Sequence, residues 1–335
     1  MGEFELLARV RERLPPAGPR LSLGSGDDAA ITVSSGATAT SVDALVEGVH
    51  FRRELASPAQ IGHKALATAL SDLAAMGAET GEAYVVLGAP ADLDEDACIE
   101  LLDGLLALAA STGTSLAGGD LTRAGELFLA VTVVGHAADP GKLVHRGGAR
   151  PGDALALTGE VGGATAGLRL LLDADCGIDP PIAWSKAQSA SNWGDALRAR
   201  QLEPMPRLGA GQALARAGAT AMIDLSDGLG GDAAHIAEDS GAGLRIDGGA
   251  IPFAPGSKEL IEVVGGDPWE LLGGGEDYEL LASIPPQRLA TAQRAVRENE
   301  GVALTRIGDV VAGSGVEIRL PDGRLLGPAG FDQLA

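Results

Sequence analysis

Five times along this chain an acid follows an apolar strand-like run or a glycine turn, which limits what the chain can become. "SLGSGDDAAI" places Asp27 and Asp28 after a glycine-rich turn, and "TATSVDALVEGVHF" reads as a strand ending at Asp43. "LAGGDLTR" sets Asp120 after two glycines, and "MIDLSDGLGGD" ends a strand at Asp224 before adding Ser226 and Asp227. "GGGEDYEL" supplies Glu276 and Asp277. A single acid of this kind is ordinary turn or cap chemistry. Repetition points instead to strands that end in site-bearing loops, the habit of α/β proteins.

Between the acids, strands and helices alternate. Residues 57–76 predict a helix, with Ser57 as cap, Pro58 in the first turn and Gly77 after the end. A second helix is expected over about 94–112, stopped by Gly113, with strands at 82–88 and 127–135. "ADPGKLVHRGGARPGD" is polar and rich in Gly and Pro, so it reads as a linker. The expected domains are therefore 1–138 and 154–335, with 139–153 between them. The second half predicts strands at 154–158 and 219–224, helices at 163–172, 228–240 and 286–299, and a strand from Glu276. A hairpin is expected to turn at Asp322-Gly323, while 173–205, with Trp184 and Trp193, has weak periodicity and reads as a mobile excursion. The class is α/β or α+β, in two domains.

Composition excludes several functions. Lys and Arg number 25 against 46 Asp and Glu, a net charge of −21, which opposes nucleic acid. Cys98 and Cys176 have no metal-ligand spacing and fit a reducing cytosol. The N-terminus "MGEFELLARVRERL" is amphipathic and charged, unlike a signal segment, and no apolar run is long enough for a membrane span. A soluble cytoplasmic protein is expected. There is no GxxxxGK[ST] loop, no GxSxG elbow and no HExxH pairing.

Asp72 is the most informative single residue. On helix 57–76 it follows the apolar stripe of Ile61, Ala65 and Ala69, where a carboxylate is costly unless paired or metal-bound. The alternative is a place on the stripe's margin, bonded to Lys64 or water. Acids converging on one site repel each other unless cations intervene. Hard oxygen ligands suit Mg²⁺ or Ca²⁺, and Mg²⁺ leaves positions for substrate phosphates. On this reading the glycines beside the acids let substrate approach the backbone. Arg146, in the linker of a chain with only four lysines, is either a phosphate contact or a solvated cation.

Taken in order, "GSGDDAA", "SVDALVEGVHF", "KALATALSDLAAMGA", "GGDLTR", "HRGGARPGD", "IDLSDGL" and "GGGEDYEL" resemble the thiamine-monophosphate kinases, in the superfamily of aminoimidazole ribonucleotide synthetase. The resemblance implies a two-domain PurM-like fold and a homodimer whose N-terminal domains join strands in a barrel. It implies ATP as co-substrate, thiamine phosphate as acceptor and several Mg²⁺ ions. It assigns Mg²⁺ to Asp28, Ser41, Val42, Asp43, Asp72, Asp120, Asp224 and Asp227, with Val42, often Thr in relatives, acting through its carbonyl. Gly119, Asp120, Arg146 and Ser226 match ATP-contacting positions, and Asp43, Asp120 and Arg146 are the expected catalytic set. His50, Glu276 and Phe331 match positions that hold thiamine phosphate. "QLEPMPRL" departs from a more basic His-x-Arg-Pro version in relatives. A cyclase of the same superfamily would lack "VEGVHF" and "GGGEDYEL"; a selenophosphate synthetase would carry a reactive Cys near the first glycine loop; a Ca²⁺-stabilised binding protein would be non-catalytic.

Overall fold

The computed structural model describes residues 6, 9–10, 12–14, 19–24, 29–175 and 190–330. The chain divides into two compact units, 1–73 with 78–141, and 142–335 with 74–77. No helix among the described residues is long and apolar enough to cross a membrane.

The first unit begins with a short antiparallel pair, β1 (Leu21–Leu23) and β2 (Ile31–Thr32). Its main sheet contains β3 (Ala37–Val46), β4 (Glu79–Ala89), β5 (Ser115–Arg123) and β6 (Phe128–Ala137), in the order β3-β6-β4-β5. Two helices accompany it, α1 (Pro58–Met76) and α2 (Glu95–Thr112). Ser57 and Gly113 serve the ends expected of them, and Gln60 and Asp94 add caps that the sequence reading did not name. Gln60 N–H donates to Ser57 Oγ (3.3 Å) and Ser57 N–H to Gln60 Oε1 (3.0 Å), a reciprocal capping box. Asp94 caps α2 by accepting from Ala97 N–H (2.8 Å), and Gly113 ends it in the left-handed conformation at φ +70°. The helices meet closely: a Cβ on Gly62 would lie 1.9 Å from the Leu101 carbonyl oxygen. Beneath them Leu129, Val131 and Val133 of β6 are buried.

Two expectations change here. Asp43 does not end a strand, because β3 continues to Val46 against β6. Asp120 is not in a turn; it lies within β5, paired with Val86 of β4. Both strands flank the sheet, and an edge position tolerates the polar and glycine residues that made these segments look like loops.

The second unit is built on seven strands: β7 (Ala154–Thr158), β8 (Ala221–Asp224), β9 (Gly243–Asp247), β10 (Leu280–Ile284), β11 (Leu304–Val311), β12 (Gly315–Arg319) and β13 (Leu325–Leu326). Their order is β13-β12-β9-β11-β7-β10-β8, antiparallel except where β12 runs parallel to β9. Its helices are α3 (Gly163–Asp175), α4 (Ala190–Leu202), α5 (Leu208–Ala217), α6 (Leu229–Ser240), α7 (Ser257–Val263) and α8 (Pro286–Glu300). β7, β8 and β10 are buried along their whole length. The hairpin at Gly323 (φ +88°) joins β12 to β13 as expected. The excursion does not hold throughout: 190–202 is helical, and 176–189 lies outside the described residues. The strand expected from Glu276 starts only at Leu280, because Glu276 and Tyr278 adopt φ +68° and +48°.

Candidate functional site

In the first unit the pleat decides which acids can meet. Ser41 and Asp43 are opposite Val133 and Val131 of β6, so their side chains share the buried face of those valines. Ser41 Oγ donates a hydrogen bond to Asp72 Oδ2 of α1, joining strand and helix through the carboxylate singled out from sequence. Asp120 pairs with Val86, which pairs with Ala130, which pairs with Ala44. It therefore lies on the opposite face from Asp43 and three strands away, on the order of 14 Å at ordinary strand spacing. Within one chain these acids do not converge as the sequence suggested. Asp43, Asp72 and Ser41 form one group and Asp120 stands apart.

Backbone polarity along β3 fixes the direction of the Val42 carbonyl. Ala44 N–H donates to Asp43 Oδ1 (3.2 Å) and Val46 N–H to His50 Nδ1 (3.1 Å), so even-numbered residues turn their backbone away from β6. The Val42 carbonyl accordingly faces the free edge beside Asp43. The bond from Val46 also orients His50, and buried Lys64 donates from Nζ to the His50 carbonyl (3.4 Å). With Nδ1 accepting, a neutral His50 carries its proton on Nε2. Gly119 is required by packing, since a Cβ there would sit 2.2 Å from the Val85 carbonyl oxygen.

In the second unit the structure brings "IDLSDGL" and "GGGEDYEL" together. Asp224 ends β8, and the turn after it leads through Ser226 and Asp227 into α6. Glu276 N–H donates to the Ser226 carbonyl (2.9 Å), Tyr278 N–H to the Leu225 carbonyl (2.9 Å), and Leu225 N–H to the Glu279 carbonyl (2.8 Å). Asp232, on the first turn of α6, accepts from the N–H groups of Asp227 and Gly228 (3.1 Å each). Burial pushes its carboxyl up to about 8, and the charges of Asp224 and Asp227 push the same way against those donors. Such a crowd of acids suits a cation. Among the described residues, however, no three His, Cys, Asp or Glu side chains already stand together as a metal cluster. Arg146 is exposed. Asp28 and Phe331 lie outside the described residues.

The glycine triplet has a different purpose from the one expected. A Cβ on Gly274 would be 1.9 Å from Thr165 Oγ1, and one on Gly275 would be 2.1 Å from the Ser226 carbonyl oxygen. These two glycines serve close packing within the protein. Three acids of this segment each have a partner. Gln201 Nε2 donates to Glu276 Oε2 (2.6 Å), and Asp277 accepts from Gly162 N–H (2.6 Å) and Ala164 N–H (3.1 Å). Glu279 receives Arg207 in bidentate fashion, Nε to Oε2 at 2.9 Å and Nη2 to Oε1 at 2.5 Å. Sequence reasoning missed Arg207, though the signal was present: it is the one basic residue in "QLEPMPRL", and "EDYEL" offers it an acid.

Comparison with known proteins places this arrangement. The family model described as AIR synthase related protein, N-terminal domain, matches residues 26–137, and the corresponding C-terminal domain model matches 150–321. The chain is 39% identical to the thiamine-monophosphate kinase of Mycobacterium tuberculosis (strain ATCC 25618 / H37Rv) over 84% of this chain and 80% of that protein. It is 38% identical to the enzyme of the same name from Escherichia coli (strain K12), over 93% and 91%. The crystal structure of thiamine-monophosphate kinase from Stenotrophomonas maltophilia K279a matches with a TM-score of 0.80 at 34% identity, covering 97% of this chain and 98% of that one. The structure of AaThiL complexed with AMPPCP and TMP matches at 0.75 and 30%, covering 98% and 96%. Each unit has the mixed α/β make-up of the two-domain PurM-like fold, and the four-stranded sheet remains open within the chain. The chain belongs to the AIR synthase related family, and within it to the thiamine-monophosphate kinases.

Proposed function

We propose that this chain phosphorylates thiamine phosphate to thiamine diphosphate with ATP, by direct in-line transfer assisted by several Mg²⁺ ions, as a cytoplasmic homodimer. The observation that carries the reading is its likeness, along nearly the whole chain, to a structure holding AMPPCP and TMP together. An oxygen of the acceptor phosphate forms the new bond to the γ-phosphorus while the bond to the β–γ bridging oxygen breaks, releasing ADP. A phosphate monoester has its second pKa near 6, so the attacking oxygen is already anionic and no general base is required. Repulsion between two polyanions is the difficulty. Mg²⁺ bound there would lower that repulsion and neutralise developing charge.

The donor chemistry fits the metal. Asp43, Asp72, Ser41 and the Val42 carbonyl would hold it in the first unit, Asp224 and Asp227 in the second, with Asp28 and Asp120 as further ligands. Gly119, Asp120, Arg146 and Ser226 are the proposed ATP contacts, and Asp43, Asp120 and Arg146 the catalytic set. His50, through its Nε2 proton, Glu276 and Phe331 would hold thiamine phosphate. The open face of the first sheet supports the dimer. It carries Val42, Ala44, Tyr84, Val86, Ala130 and Thr132, and Val42 is 67% exposed.

The test is release of ADP and formation of thiamine diphosphate by the purified chain with ATP, Mg²⁺ and thiamine phosphate. Chelation should abolish turnover and added Mg²⁺ restore it. Free thiamine should be a poor acceptor, since its hydroxyl needs a base. ADP release without thiamine diphosphate would overturn the assignment. Labelled protein recovered after incubation with γ-labelled ATP alone would overturn direct transfer.

A further inference from the structure

We propose that Asp277 is a positioning residue, which holds the backbone of residues 276–278 in the conformation that aims Glu276 at the substrate. The proposal rests on Glu276 being a substrate contact, as argued above. Glu276 (φ +68°) and Tyr278 (φ +48°) are the non-glycine residues with positive φ among those described, and they flank Asp277 directly. Left-handed backbone is unfavourable for an L-residue, so it persists only where surroundings impose it.

The surroundings here act from two sides. On one side the N–H groups of Glu276 and Tyr278 bond to the carbonyls of Ser226 and Leu225, both at 2.9 Å. On the other, the Asp277 carboxyl reaches the start of α3, Oδ2 accepting from Gly162 N–H (2.6 Å) and Oδ1 from Ala164 N–H (3.1 Å). A carboxylate on those amides also complements the positive end of the helix. Burial nevertheless pushes the Asp277 carboxyl up to about 7, against the lowering by the two N–H donors. The contact with α3 is kept despite that burial. What it secures is direction. With Asp277 pinned, Glu276 projects toward Gln201, whose Nε2 meets Oε2 at 2.6 Å. Without it, both left-handed residues can relax and Glu276 swings away.

Asp277→Ala should raise the KM for thiamine phosphate about 10-fold or more while kcat and the KM for ATP stay within about 2-fold. Asp277→Asn should fall between, because its amide can accept only through one atom. In a Glu276→Ala background, Asp277→Ala should add less than about 2-fold to the same KM. A purely structural residue behaves differently: loss of folded enzyme lowers kcat and leaves KM unchanged, and that pattern would overturn the proposal, as would additivity with Glu276→Ala. Hydrogen exchange gives an arm independent of turnover. The amides of Gly162, Ala164 and 276–278 should exchange faster in Asp277→Ala, and wild-type rates there would refute the clamp. A wild-type chain that ignores thiamine phosphate would refute the substrate assignment, while the exchange rates still decide the clamp.

Discussion

Replacing Asp72 by Asn is expected to lower kcat by about 10²–10³-fold, or about 2.7–4 kcal/mol of barrier, while the melting temperature stays close to wild type. The asymmetry follows from the contact at Asp72. Its Oδ2 accepts from Ser41 Oγ, and an asparagine carbonyl can accept the same hydrogen bond. The bond that ties α1 to β3 therefore survives, and shape and volume are retained. Negative charge is what disappears. If Asp72 serves only to join helix to strand, the substitution should be nearly silent. If it holds Mg²⁺ together with Asp43, removing the charge removes the cation that the polyanionic substrates require. Ser41→Ala is the companion variant, since it deletes the hydrogen bond and leaves the carboxylate. It should cost less than about 10-fold in kcat, and added Mg²⁺ should recover part of that loss. Retention of more than a tenth of wild-type turnover by Asp72→Asn would refute the metal role. Equal losses in the two variants would show that the hydrogen bond matters and the charge does not.

Local signals in this sequence were legible because their partners are close along the chain. Ser57 caps a helix whose reciprocal acceptor is three residues on, and Gly113 ends α2 in the left-handed conformation. Such chemistry depends on nearest neighbours, so the sequence states it outright. The acids of the first unit were legible in type and not in place. "SVDAL" and "GGDLT" look alike as an acid beside small residues, yet pairing through β6 and β4 puts Asp43 and Asp120 on opposite faces of one sheet. Register is a property of strands far apart in sequence, and shifting one residue exchanges the faces. The glycine triplet shows a similar limit. Its need for bare backbone was clear, but what approaches it is Thr165 and the Ser226 carbonyl, residues 109 and 49 positions away from Gly274 and Gly275 respectively. The left-handed backbone at Glu276 carries no residue signature at all, because neither Glu nor Tyr favours that conformation.

Arg207→Met should destabilise the second unit by about 3–5 kcal/mol, the usual loss when one partner of a buried ion pair is removed. Glu279 is 0% exposed, and its carboxylate has three polar contacts. Two come from the Arg207 fork, and Thr158 Oγ1 donates to Oε2 at 2.7 Å. Thr158 Oγ1 in turn accepts from Leu280 N–H at 2.8 Å, so the pair is wired to β7 and to the first residue of β10. Burial opposes the charge on Arg207, yet the hydrogen bonds and charge of Glu279, with the charges of Glu300 and Glu160 added, raise the guanidinium above its ordinary value. Methionine fills much of the vacated volume, so the loss is chiefly that of a buried carboxylate left without its cation. The Glu279 carboxylate already lies against Gly159, where an added Cβ would come within 2.1 Å of Oε1. Adding Glu279→Gln should recover more than half of the loss, because the neutral amide still accepts from Thr158 and no longer needs a counter-ion. Urea unfolding of the wild type, both single variants and the double variant measures the coupling directly. A loss under about 1 kcal/mol for Arg207→Met, or a double variant as unstable as the sum of the singles, would show that the pair is not a structural strut. The coupling matters for the site because Glu279 is only three residues from Glu276. If the strut goes, the segment that Asp277 aims has lost its footing on β10.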